Sequence, residues 1–142
     1  MMNDSEQHTL ARKLEYLRKN LEMLAAYRSL SANDIENNLE KRLAAERLLQ
    51  TAIETAIDCS RLIVAVNDLR KMRDERDAFV ILAENKIIGG ELSEKLLRCK
   101  GFRNILVHEY ASVDPKLMAR FLNEDIDDLI EFAKAIARWL AG

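Results

Sequence analysis

Arg103, Asn104, His108 and Tyr110 fall within eight residues, and each side chain can hydrogen-bond or carry charge. Histidine, with an ordinary pKa of about 6.5, can take a proton from a hydroxyl near neutral pH. Arginine is always charged, and its planar fork matches the oxygens of a phosphate. The pair suits RNA cleavage, because RNA supplies its own nucleophile, the 2′-hydroxyl. A base removes that proton, a cation stabilises charge on the phosphate, and the products are a 2′,3′-cyclic phosphate and a 5′-hydroxyl. The chain has only one other histidine, His8, near the N-terminus. Ile105, Leu106 and Val107, between the polar residues, are expected to tie the stretch to a core. The ordinary alternative is a helix end whose Arg and His are merely solvated.

The elements that must position these residues read as helices. Only 4 glycines and 1 proline occur in 142 residues, which suits long helices and argues against a turn-rich β fold. The expected architecture is an all-α, up-down bundle of about five helices in one domain spanning residues 1–142. Helix one is expected to start near Asp4 or Ser5 and to present Leu10, Leu14, Leu17, Leu21 and Leu24 on one face. Ser31-Ala32-Asn33-Asp34 has the form of a capping box. No Gly or Pro follows until Gly89, so helix two is expected to run from about Ile35 to Leu69. The charge run Arg70 to Asp77 reads as a solvated connection, and Ala78 to Asn85 as a short helix with Phe79 and Leu82 inward. Helix four begins near Glu91 and enters the motif, with Leu92, Leu96, Leu97, Phe102, Ile105 and Leu106 on its core face. Gly101 in mid-helix implies a close contact, since glycine there costs about 1 kcal/mol against alanine. Asp114-Pro115 marks a restart, with Leu117, Phe121, Leu122, Ile126, Leu129, Ala133, Ile136 and Leu140 inward on a helix reaching about Leu140.

Helical geometry sets a problem for the site. At about 100° per residue, Arg103 and Tyr110 share a side while His108 is rotated by roughly 140° from Arg103. Either the helix unwinds near His108 or another chain completes the site. Lys95, Arg98, Lys100 and Arg103 form a basic set that can hold an RNA backbone or serve as a solubility face. A polar line, Arg47, Thr51, Glu54, Asp58 and Arg61, crosses helix two. Its plainer reading is a row of ion pairs; its sharper one is that Glu54 or Asp58 orients Arg103 or His108. A di-iron site is not supported, because no second helix offers Glu-x-x-His, and no metal or cofactor is expected. The acidic residues Glu124, Asp125, Asp127, Asp128 and Glu131 read as a solvated face, or as a docking surface for a basic partner.

Arg103, four residues, His108, one residue and Tyr110 resemble the R-x4-H-x-Y motif of the HepT-like toxins, in the HEPN superfamily of ribonucleases. Ala45-Glu46-Arg47-Leu48-Leu49-Gln50, Ala52-Ile53-Glu54 and Asp58 are similar to the family's second-helix signature. Gly101-Phe102 and Val113-Asp114 fit as well, so the resemblance spans roughly Leu10 to Trp139. It implies a metal-independent endoribonuclease of a toxin–antitoxin pair, with Arg103 and His108 catalytic and Asn104 in support. It also implies a homodimer whose motifs face each other, and a minimal nucleotidyltransferase antitoxin of the MntA kind that adenylylates Tyr110. The competing class is a non-catalytic HEPN module that binds a nucleotide or serves only as that enzyme's partner.

The whole chain is compatible with either. Hydrophobic residues make up 49% and charged residues 32%, a globular balance, and no apolar run is long enough for a bilayer. The polar start Met1-Met2-Asn3-Asp4-Ser5-Glu6 does not read as a signal peptide, and Cys59 and Cys99 are too few for a disulfide framework. A cytoplasmic, reduced chain is expected, with both cysteines in the core. Net charge is −2, so RNA binding must rest on a local basic patch.

Overall fold

The leucine stripe of the first helix finds its partner as the spacing requires. In the computed structural model, which describes residues 2–108 and 113–142, α1 spans Asp4–Leu24 and buries Leu10, Leu17, Leu21 and Leu24, with Leu14 packed at the edge. Its cap is Asn3, not Asp4 or Ser5: Asn3 accepts from the Glu6 amide while the Glu6 carboxylate accepts from the Asn3 amide, a reciprocal box. A short 3₁₀ turn, Ala25–Tyr27, leads to α2, Ala32–Asn37, which starts at the expected Ser31–Asp34 capping box.

The long second helix expected from Ile35 to Leu69 is two helices. Asn38 is extended, at φ −132° and ψ 93°, and its side chain accepts from the Lys41 amide to cap α3, Leu39–Val66. An asparagine can leave the helix and repay a free amide with its own oxygen, so neither Gly nor Pro was needed for the break. α3 is the central element: Ala45, Leu49, Ala52, Ile53, Ala56, Ile57, Ile63 and Val64 are buried against α1 and the later helices. It ends at Val66, three residues before the expected Leu69, with Asn67 as its C-cap and Asp68 following at a left-handed φ of 51°.

α4 is Asp77–Glu84 with Phe79 and Leu82 inward as expected, and α5 is Gly90–His108. The final path is α6, Pro115–Arg120, a π-helical turn over Phe121–Asp125, and α7, Ile126–Ala141. Asp114 caps it and Pro115 opens it. The wider turn was not foreseen. Met118 and Phe132, both fully buried, were missed from the inward set. Phe132 meets Phe79 edge-on at 6.0 Å, and Phe121 stacks on Phe102 at 3.8 Å. That stack fixes the motif-bearing helix to the last helical path. Among the described residues the architecture is an all-α bundle, with no strand, and no helix is long and apolar enough to cross a membrane.

Candidate active site

α5 remains helical through His108, so no unwinding separates Arg103 from His108 and their angular offset stands. Glu109 and Tyr110 lie outside the described residues. Of the three apolar residues expected to anchor the stretch, only Leu106 packs on the core; Ile105 and Val107 are 37% and 38% exposed. Three consecutive helical residues span about 200° of arc, and a helix packed on one side cannot bury them all. His108 is exposed at the helix end, and Asn104 is half-buried.

Arg103 sits differently. Its side chain is only 12% exposed and donates from Nη2 to Oε1 of Glu75 at 2.8 Å. Its Nε is buried and finds no acceptor among the described residues. The other carboxylate oxygen of Glu75 lies 3.6 Å from Nζ of Lys100, whose side chain is 9% exposed. Two largely buried cations thus converge on one carboxylate. Partial burial raises the Glu75 pKa, but the bond from Arg103, backed by Lys100, overcomes it and holds the carboxyl below its usual range.

The segment carrying Glu75 is an exposed connection over most of its length, as its charges suggested, but ion pairs pin it at Arg70 and Asp77. Arg70 grips Asp77 through Nη1 and Nη2 at 2.8 and 2.9 Å, and reaches Glu84 at 2.7 Å. Asp77 also accepts from the Arg73 amide at 2.9 Å and is buried. The Arg70 hydrogen bonds hold the Asp77 carboxyl well below the ordinary range. This ion-pair knot folds the segment onto α4 and sets Glu75 against α5. No sequence period announces it; the one available signal was the density of arginine and carboxylate over Arg70 to Asp77.

Several expected placements fail for identifiable reasons. Glu54 and Asp58 make no hydrogen bond or ion pair with Arg103 or His108 among the described residues. Asp58 is exposed and lines a groove with Thr9, Arg12 and Tyr16 of α1, so the carboxylate that meets Arg103 is Glu75. The row of ion pairs expected along Arg47, Glu54, Asp58 and Arg61 is not formed either; Arg47, Asp58 and Arg61 are exposed. The basic set divides in two, because five-residue steps rotate by about 140°. Lys100 and Arg103 face Glu75, whereas exposed Arg98 and half-buried Lys95 lie on the side of α7's acids. Gly101 has open space, not a close neighbour, at its missing Cβ, and borders a groove with Arg98, Ile105, Arg120 and Phe121.

The acidic face is not wholly solvated. Asp127 pairs with Arg28 at 2.7 Å, and partial burial raises the carboxyl pKa of Asp125 and of Asp128. Cys59 and Cys99 are buried as expected, and burial pushes each thiol up to about 12. Among the described residues no group of three or more His, Cys, Asp or Glu side chains is placed to hold a metal ion.

Comparison with known proteins agrees with this architecture. Residues 17–136 match the family model described as ribonuclease HepT-like. The chain is 32% identical to the tRNA nuclease HepT of Aphanizomenon flos-aquae over 80% of its own length and 78% of that protein's. It is 31% identical to the mRNA nuclease HepT of Shewanella oneidensis over 62% of its length and 66% of that chain. The fold superposes with a TM-score of 0.76 on the tri-AMPylated Shewanella oneidensis HEPN toxin solved in complex with its MNT antitoxin. That match is at 23% identity and covers 96% of this chain and 99% of the other.

The Asp77 knot has a pH signature. A carboxyl whose folded pKa is depressed adds stability above its unfolded value, about 3.9, and loses it as pH falls through the folded pKa. Asp77→Asn is therefore expected to lower the urea midpoint most at pH 7, with the gap from wild type closing as pH falls below about 4. Urea titrations at several pH values check this; a gap that stays constant with pH would show that the Asp77 charge is not what holds the segment.

Proposed function

The chain belongs to the ribonuclease HepT-like family, and on that premise we propose that it is the RNA-cleaving toxin of a toxin–antitoxin pair. The observation that carries the reading is the grip on Arg103. A largely buried guanidinium, with Lys100 beside it, already engages an oxyanion, and His108 stands exposed five residues along the same helix. The carboxylate of Glu75 occupies this corner, and an RNA phosphodiester is a chemically related anion, which supports the reading.

In the proposed reaction the imidazole of His108 takes the proton of a ribose 2′-hydroxyl. The 2′-oxygen bonds to phosphorus, the P–O5′ bond breaks, and the 5′-oxygen leaves with a proton from an imidazolium. Arg103 stabilises the charge that grows on the phosphoryl oxygens. No metal takes part in these steps. The unbroken helix points Arg103 and His108 in different directions, so the complete site is assembled from two copies of the chain, each supplying what the other's geometry lacks. Asn104 supports the site from its half-buried position.

The antitoxin proposed is a minimal nucleotidyltransferase of the MntA kind. The phenol oxygen of Tyr110 would attack the α-phosphorus of ATP and release pyrophosphate, leaving adenosine monophosphate on the tyrosine. The added phosphate would compete for the arginine and the adenosine would fill the cleft.

His108→Ala is expected to lose RNA cleavage by about 10²- to 10⁴-fold while remaining folded, since an exposed side chain adds little packing. Arg103→Lys keeps the charge but loses the fork and is expected to fall sharply too. Gel assays of total RNA in EDTA, on protein shown by light scattering to be a dimer, check both. Wild-type rates in His108→Ala would sink the acid–base role, and a fully active monomer would remove the second copy.

Co-expression with the nucleotidyltransferase is expected to add mass in adenylyl steps that peptide sequencing maps to Tyr110. No added mass, or a label on another residue, would contradict the modification.

A further inference from the structure

Among the described residues the partner of Arg103 is Glu75, and it is placed so that it can leave. Lys100 and Arg103 project from the regular helix α5 and are 9% and 12% exposed, whereas the Glu75 side chain is 43% exposed and lies between α3 and α4 outside any helix. Its fit is also incomplete. Glu75 makes one hydrogen bond to Arg103, meets Lys100 only at 3.6 Å, and leaves the buried Arg103 Nε without an acceptor among the described residues. Nε and Nη2 form the side edge of the guanidinium fork, the edge that grips two oxygens of one anion. A phosphodiester offers two non-bridging oxygens set wider than those of a carboxylate, with ester oxygens besides.

We infer that Lys100 and Arg103 together form the phosphate-binding site of this chain, and that Glu75 is its tethered occupant, which an RNA phosphate must displace. The inference rests on the ribonuclease reading only for the identity of the ligand; the anion site itself stands on the geometry. It narrows the basic set to two residues. Lys100 and Arg103 hold the phosphate; Lys95 and Arg98, turned toward α7, do not. It also gives Glu75 a role in affinity: the free chain keeps its buried cations paired, and a ligand gains only the difference between its own contacts and those of Glu75.

The test uses two probes. One is inorganic phosphate, followed by its effect on Tm; the other is a fluorescent 2′-O-methyl oligoribonucleotide, which lacks the attacking hydroxyl and so reports binding alone. Glu75→Gln removes the competing charge from an exposed side chain. It is expected to tighten both probes by about three- to tenfold, the worth of a partly exposed charge-assisted pair. Asp74→Asn, the same change of charge one residue away, is expected to leave both within about twofold of wild type. Lys100→Met is expected to weaken both, and to cancel the gain when combined with Glu75→Gln. If Glu75→Gln binds no tighter than wild type, or Asp74→Asn gains as much, Glu75 is not the occupant. The ribonuclease reading fails separately: a tighter phosphate site in a wild type that cleaves no RNA would overturn that reading and leave the site standing. A wild type that cleaves RNA without any gain in Glu75→Gln would overturn the site alone.

Discussion

A regular α-helix turns by about 100° per residue, and α5 stays regular from Gly90 to His108. That constraint governs the candidate site. Residues five apart on such a rod cannot point at one atom, so Arg103 turns in toward the bundle while His108 faces solvent at the rod's end. The burial difference follows from the same geometry. The phase that buries Leu92 and Leu96 also turns Arg103 inward and leaves Ile105 and His108 outside; Val107 shares the inward phase but lies exposed near the helix end. A chain with this helix has a held arginine and an exposed histidine, and the proposed composite site is the simplest way to bring them to one phosphate.

Keeping a guanidinium largely buried requires an anion, because an unpaired charge removed from water is costly. The bundle supplies one from outside its regular elements. The Asp77 knot folds the segment after α3 against α4, and Glu75 comes with it. Lys100 adds a second cation to the same carboxylate. The Phe102–Phe121 stack ties the other side of α5 to the last helical path. The motif helix is therefore fixed by packing on one flank and by charge on the other, and only the charged flank can exchange its partner.

How much of this could be read from the chain depended on how local each cause was. The leucine stripe of α1, the Ser31–Asp34 box and the Asp114-Pro115 start each rest on residues within a few turns, and the structure has them as expected. Arg103 and His108 were marked by residue type and spacing. The misses came from competition and distance. Asn38 broke a helix because its side chain could replace a backbone partner, a signal weaker than Gly or Pro. The Glu75–Arg103 pair joins residues 28 apart, so no periodicity carries it. Glu54 and Asp58 had a suitable type on the wrong face, and Gly101 borders an open groove where a contact was expected.

The most direct test of the central claim is the chemistry of the cut ends. Purified protein would be incubated with a defined RNA in EDTA, and the product termini identified by mass spectrometry. Attack by the 2′-hydroxyl with His108 as base and Arg103 on the phosphate predicts a 2′,3′-cyclic phosphate on one fragment and a 5′-hydroxyl on the other. Products with 5′-phosphate ends, or cleavage that stops when divalent metal is removed, would contradict it.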